Sequence, residues 1–315
     1  MKPILQVNQL VKRYGELTAV KGVSFEVQEG EIFSLLGPNG AGKTTTISVL
    51  STLFPPSEGD ALIAGHSVVR EPYAVRRVIG IVPQEIALYE DLTARENLHF
   101  WGQLYGLGGR ELKQRCEEVL EQTGLQEKAN QRVKTFSGGM KRRLNIGVGL
   151  LHRPRLLFMD EPTVGIDPQS RRAILDTVKN LNQQAGMTIL YTTHYMEEAQ
   201  ELSHRVGIID HGEMIAIGTQ AELVKMISQK ETLILQFGED QSAARVIPQL
   251  RGMAGVQQVI AEDHSLQVLV NDAEEILPAV IQACTAENLK IRTIQIQEPN
   301  LEAVFLQLTG RALRD

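Results

Sequence analysis

The sequence predicts an α/β protein: an open, mainly parallel sheet with an inserted helical subdomain, followed by a small α+β domain. Three observations carry this reading. A glycine-rich loop, Gly37–Thr44, lies between an apolar strand-like run and a helix start. Several other short apolar runs each stop abruptly at a polar residue. After Gly218 the pattern changes to strands and helices in the order β-α-β-β-α-β.

The first element is the run Ile32-Phe33-Ser34-Leu35-Leu36, which leads into Gly37, Pro38, Asn39, Gly40, Ala41, Gly42, Lys43 and Thr44, with Thr45 opening a helix. This is G-x-x-x-x-G-K-[ST] in its proper strand–loop–helix context, a P-loop. Its glycines let backbone N–H groups curl around a β-phosphate, and the new helix directs its positive end to the same place. Lys43 adds a mobile charge for the β- and γ-phosphates, and the Thr44 hydroxyl is placed to ligate Mg²⁺. The motif implies binding of a nucleoside triphosphate.

Ile79-Gly80-Ile81-Val82 leads to Pro83-Gln84, Leu156-Leu157-Phe158-Met159 to Asp160-Glu161, and Thr188–Thr193 to His194. Continuous apolar runs between helical patterns read as buried parallel strands. In such sheets ligands bind outside the carboxyl ends of the strands, so Gln84, Asp160, Glu161 and His194 are expected on the same edge as the phosphate loop.

Strand alternation sends the adjacent carboxylates in different directions. Asp160 suits Mg²⁺, directly or through water; Glu161 suits orienting and deprotonating an attacking water. Two close carboxylates also have coupled proton affinities. A lone histidine is more often structural than catalytic, but the position of His194 favours a γ-phosphate or water contact.

Between about Leu88 and Leu150 the strand signal disappears, and Leu112, Val119 and Leu120 interleave with charge as on amphipathic helices. Within this helical subdomain lies Phe136-Ser137-Gly138-Gly139-Met140. Ser137 can cap the helix that follows, and Gly138 and Gly139 leave its first N–H groups bare; from these residues alone a merely capped helix suffices. Likewise Tyr14 can stack on a base or simply pack on the surface.

Residues 220–229 read as a linking helix with Leu223, Met226 and Ile227 on one face. Strands are expected at Thr232–Phe237, Val256–Ala261, Leu266–Val270 and Lys290–Gln297, and helices at Gln241–Leu250, Ala273–Glu287 and Leu301–Leu308. Helix 273–287 stacks Ile276, Leu277, Val280, Ile281 and Cys284 on one side. The order is that of a split βαβ, ferredoxin-like domain with an added helix. The expected division is 1–220 for the sheet domain, 221–230 for the linker and 231–315 for the accessory domain.

Composition sets outer limits. The chain has 315 residues, 32 basic and 38 acidic, for a formal charge of −6, which offers no global attraction to nucleic acid. Two distant cysteines, Cys116 and Cys284, are too few for a zinc site and read as small buried apolar residues. No apolar run approaches the roughly 18 residues that span a bilayer. No signal-peptide segment is seen near Met1, so a cytosolic, reducing setting is expected.

Taken in order, Gly37–Thr44, Gln84, Ser137-Gly138-Gly139, the strand into Asp160-Glu161, Gly165-Ile166-Asp167 and His194 resemble the nucleotide-binding subunits of ABC transporters over residues 4–220. The run Phe136-Ser137-Gly138-Gly139-Met140 and a small C-terminal domain running into Glu298-Pro299-Asn300-Leu301-Glu302 are similar to the ABC-2-type exporter group that includes daunorubicin-resistance-like drug efflux ATPases. The resemblance implies ATP and Mg²⁺ as ligands and a head-to-tail pair of chains. Ser137, Gly138 and Gly139 of one chain would then face the γ-phosphate held by Lys43 of the other. It further implies that Tyr14 stacks on adenine, that Gln84 contacts Mg²⁺ or water and couples to the membrane subunit, and that Asp167 acts across the dimer. Separately encoded permeases at the cytoplasmic face of the membrane would be the partners. Met140 stands where many members carry Gln, and Gly165-Ile166 replaces the commoner Ala-Leu. Two other functions share this family pattern: an importer ATPase whose C-terminal domain binds a regulatory ligand, and a soluble ABC protein acting on ribosomes or DNA. One cassette, no sustained heptads and a negative charge argue against the latter.

Overall fold

A computed structural model describes residues 2–226, 231–238, 245–262, 265–287, 289–297 and 300–309. One compact unit runs to Thr219 and a second begins at Gln220. The first unit opens with β1 (Pro3–Tyr14), β2 (Leu17–Gln28), β3 (Ile32–Leu36), α1 (Lys43–Leu50), β4 (Glu58–Ile63), β5 (His66–Ser67), α2 (Pro72–Val78) and β6 (Ile79–Val82). The helices α3 (Ala94–Leu104), α4 (Gly109–Gln122) and α5 (Gly138–Leu150) follow. The unit closes with β7 (Leu156–Asp160), α6 (Pro168–Ala185), β8 (Thr188–Thr193), α7 (Met196–Leu202), β9 (Arg205–Asp210) and β10 (Glu213–Gly218).

Six strands form one sheet in the order β10-β9-β3-β8-β7-β6, parallel from β9 to β6 with β10 antiparallel at the edge. Every residue of β3, β7 and β8 is buried. Their side chains alternate between two cores, as burial on both faces requires. Ile32, Leu157, Met159, Ile189 and Tyr191 join the apolar faces of α3–α6. Phe33, Leu35, Leu156, Phe158 and Leu190 instead join α1 and a second sheet, β2-β1-β4-β5. Each fully buried side chain of this size contributes roughly 1.5–3 kcal/mol. The carboxyl ends of β3, β6, β7 and β8 meet at one edge because the strands are parallel and in register there.

The antiparallel sheet has no counterpart in the sequence reading. In β1 the period of two is broken by register shifts between Val7 and Leu10, where Gln9 turns left-handed at φ 47°. A strand with such a bulge does not alternate cleanly.

The second unit contains α8 (Gln220–Met226), β11 (Glu231–Phe237), α9 (Ile247–Arg251), β12 (Val256–Glu262), β13 (Ser265–Val270), α10 (Ala273–Ala286), β14 (Ile291–Gln297) and α11 (Leu301–Thr309). Its sheet order is β12-β13-β11-β14, antiparallel throughout. β13 separates the two strands of the βαβ unit, which is the ferredoxin-like arrangement.

Two details correct the expectation and a third is described only in part. Residues 241–244 of the expected helix 241–250 lie outside the described residues, and α9 begins at Ile247. Leu223 is buried but Met226 is 56% exposed, so they do not share the packed face of α8, and Ile227 is outside the described residues. Ile281 is 36% exposed; the buried stripe of α10 is Ala273, Ile276, Val280, Ala283 and Cys284, with Leu277 packed at its margin. Ile281 follows Val280 by about 100° of helix rotation and is carried off that stripe. Both cysteines are buried and free.

Candidate active site

The phosphate loop is shaped by what lies behind it. A Cβ on Gly37 would stand 2.2 Å from the Ile209 carbonyl oxygen, and one on Gly42 would stand 2.6 Å from that of Ala19. Gly40 and Gly42 are left-handed, at φ 81° and 103°. Only glycine meets both demands at Gly42. Gly212 N donates to Ala41 O at 3.0 Å and the Thr46 hydroxyl to Gly42 O at 2.8 Å, fixing the loop to the β9–β10 turn and to α1.

Lys43 is 4% exposed, and its Nζ donates to Gly37 O at 2.7 Å and Pro38 O at 2.9 Å. The same Nζ lies 2.9 Å from Glu161 Oε1. The other oxygen of Glu161, Oε2, is 3.1 Å from His194 Nδ1. Lysine, glutamate and histidine thus form one buried chain from the loop after β3 to the ends of β7 and β8. Glu161 holds a left-handed backbone, φ 43°, and its N–H donates to Thr192 Oγ1 at 2.9 Å. A non-glycine residue there is strained, and in that conformation the side chain meets Lys43 and His194.

Asp160, one residue earlier, points elsewhere. Its Oδ1 accepts from Thr192 Oγ1 at 2.7 Å and Thr44 Oγ1 at 3.2 Å. Burial raises its pKa above the ordinary carboxylate value; the two hydroxyl bonds oppose this, and neighbouring Glu161 adds to it.

A cavity of about 390 Å³ is lined by Tyr14, Asn39, Gly40, Gly42, Lys43, Thr44, Thr45, Gln84 and Glu161. Tyr14 is 43% exposed, with its ring edge against Phe54. Gln84 and Thr44 also line a larger cleft of about 750 Å³, together with Asp160, Ile81, Leu53 and Tyr105. Ser137, Gly138, Gly139 and Asp167 belong to neither cavity. They form a second cluster. Ser137 caps α5, accepting from Met140 N at 3.2 Å; Asp167 caps α6, accepting from Ser170 N at 2.9 Å, a bond that lowers its pKa. Gly139 lies so close to Ser170 that a Cβ would fall 2.3 Å from the serine Cβ.

Four polar residues escaped the sequence reading. Thr192 serves the Asp160 carboxylate and the backbone N–H of Glu161, and its signal was a hydroxyl inside a fully buried strand. Glu198, 2% exposed, accepts from Thr163, Tyr191 and Thr193 at 2.6–2.9 Å and so ties the segment after Glu161 to the one before His194. Arg142 and Asn145 contact the loop that carries Gln84.

Residues 20–164 match the family described as ABC transporter, and residues 218–309 the ATP-binding protein DrrA1-3-like C-terminal domain. The linearmycin resistance ATP-binding protein LnrL of Bacillus subtilis is 50% identical over 99% of this chain and its own full length. The chain is a member of the ABC transporter ATPase family. The ATPase is also 39% identical to the daunorubicin resistance ATP-binding protein DrrA3 of Streptomyces coeruleorubidus, over 97% of this chain and 96% of that one. Among solved structures, the dimeric post-hydrolysis state of the ATP-binding cassette MJ0796 with ADP and Pi aligns at a TM-score of 0.61. It is 28% identical and covers 68% of this chain and 98% of its own. An ATP-binding subunit of an ABC transporter aligns at 0.63, is 32% identical, and covers 71% of this chain and 92% of its own. The ATPase therefore binds nucleotide and hydrolyses ATP.

Proposed function

We propose that two copies of this ATPase pack head to tail and drive export of drug-like or lipophilic compounds through separately encoded membrane subunits. The carrying observation is the separation of the site into two clusters. The phosphate loop, Gln84, Asp160, Glu161 and His194 form one; the exposed Ser137 and Gly138 form another, with no place at the first within one chain. In the proposed pair each cluster completes the site of the other copy, as the dimeric relative with ADP and Pi supports.

Each residue then has a task. The loop N–H groups and Lys43 bind the β- and γ-phosphates, and Tyr14 stacks on adenine. Thr44, Asp160 and Gln84 offer hard oxygen donors, and Asp160 is buried with the Thr44 hydroxyl beside it, a set that fits Mg²⁺. When bound, that ion neutralises phosphate charge. Glu161 accepts the proton of the attacking water, and His194 holds the carboxylate in place and reaches the γ-phosphate. Asp167 signals across the pair.

The relatives named for linearmycin and daunorubicin resistance, and one named for Nod factor export in Ralstonia nicotianae, support the export direction over import. Among the described residues no helix is long and apolar enough to cross a membrane, so the pathway belongs to a partner. The larger cleft, with exposed Leu53 and Tyr105 and the shared wall at Gln84, is the proposed contact for that permease on the cytoplasmic side.

Mixing two inactive variants tests the arrangement. Lys43→Ala removes the phosphate cation. Gly138→Asp sets a carboxylate where the partner's phosphate would lie, in a position with room for a Cβ. Each variant alone is inactive. A mixture should recover activity, up to roughly a quarter of the wild-type rate, because half the pairs are mixed and each has one intact site. No recovery after subunit exchange would refute the head-to-tail arrangement.

A further inference from the structure

Arg142 is an unusual buried cation. It is 3% exposed, and among the described residues no carboxylate lies within ion-pair distance. Its partners are backbone: Nη1 donates to Pro83 O at 2.7 Å and Nη2 to Gln84 O at 2.6 Å, while Nε is buried without a partner. Three residues on, and so on the same face of α5, Asn145 Oδ1 accepts from Ala87 N at 3.3 Å; its amide nitrogen is also buried and unpartnered. Buried charges are normally matched by opposite charge, because carbonyls alone compensate desolvation poorly. An irregular loop leaving β6 needs partners for its carbonyls. Here α5 supplies two of them, at Pro83 and Gln84, and also takes the Ala87 N–H.

The place of this grip matters. Helix α5 begins at Gly138, one turn and about 6 Å from Arg142. The loop it holds carries Gln84 into the nucleotide cavity. We propose that Arg142, seconded by Asn145, is a positioning residue that locks the Gln84 loop to α5. The contact of Gln84 with its own nucleotide and that of Ser137–Gly139 with the partner's nucleotide then move as one body. A change at one nucleotide is thereby felt at the other, and the two sites turn over cooperatively. The proposal rests on the head-to-tail reading.

The test uses the full chain with Arg142→Met, which removes all donors, and Arg142→Lys, which keeps the charge but can reach only one carbonyl. Three quantities are measured: affinity for a fluorescent ATP analogue, the dependence of hydrolysis on ATP concentration, and Tm. The Hill coefficient should exceed 1 in the wild type, with the two sites setting its ceiling, and fall toward about 1 in both variants. Maximal turnover should fall roughly ten- to hundredfold, as misplacement by about an ångström does, while analogue affinity stays within about twofold. The lysine variant keeps its Tm near that of the wild type and separates this effect from misfolding. An unchanged Hill coefficient and turnover in the methionine variant overturn the proposal. So does a loss in the lysine variant that falls on affinity alone. Failure of the mixing experiment overturns the dimeric reading and this proposal with it; success there beside unchanged cooperativity overturns the proposal alone.

Discussion

Replacing Glu161 by glutamine should do two things at once, because this carboxylate has two partners. Its Oε1 is 2.9 Å from Lys43 Nζ in a nearly dry setting, with 3% and 7% of the side chains exposed. At that separation and an effective dielectric of about 20, the bare attraction is about 6 kcal/mol, a ceiling from which the desolvation of both ions must be subtracted. Charged hydrogen bonds net about 1.5–3 kcal/mol, and neutral ones about 0.5–1.5. The glutamine carbonyl still accepts from Lys43, so only the charged part, about 1–1.5 kcal/mol, is lost. An arriving phosphate must displace this partner from Lys43. Glu161→Gln should therefore bind ATP about five- to tenfold more tightly. Hydrolysis should fall about 10²–10⁴-fold, the usual worth of a positioned base. Titration with a fluorescent ATP analogue and a phosphate-release assay at saturating ATP check both halves. A rate within threefold of the wild type would remove Glu161 from its role as base. Unchanged or weaker affinity would show that the Lys43 pair does not compete with nucleotide.

Burial raises the folded-state pKa of Asp160 above its unfolded value of 3.8, so the folded protein holds this proton more tightly. Stability contributed by the group is then lost as pH rises through that interval. Asp160→Asn should have a higher Tm than the wild type at neutral pH, and the advantage should vanish as pH approaches the unfolded value; a pH-independent difference would refute the sign. Gly37→Ala places a methyl 2.2 Å from a backbone oxygen that cannot rotate away. It should cost about 1–3 kcal/mol, visible as a Tm lowered by several degrees together with weaker nucleotide binding.

Much of the site was legible because parallel strands buried on both faces leave continuous apolar runs. The residue at which each run stops is then marked, and Gln84, Asp160, Glu161 and His194 were found in this way. The same rule hid Thr192, since a threonine in a strand reads as an ordinary β-former until its hydroxyl is seen between the Asp160 carboxylate and the Glu161 N–H. Arg142 was hidden by its neighbours: in Lys141-Arg142-Arg143 a charge run reads as a solvated surface, yet the middle member is buried and Lys141 pairs with Glu90. The antiparallel sheet was lost to the bulge at Gln9, and Ile281 to a single residue of helical phase. In each case contacts distant in the chain decided what local pattern left undetermined.

The left-handed backbone at Glu161 narrows the substitutions this position tolerates. Glycine would relax the turn but carries no acid, and asparagine accepts the geometry without being a base. Aspartate is the remaining compromise, and its side chain is one methylene too short to bridge lysine and histidine as glutamate does. Improvements in thermal robustness of this molecule must therefore be sought at other left-handed positions, such as Thr52 and Ala64, because the strain at Glu161 sits on the atom group that cannot be given up.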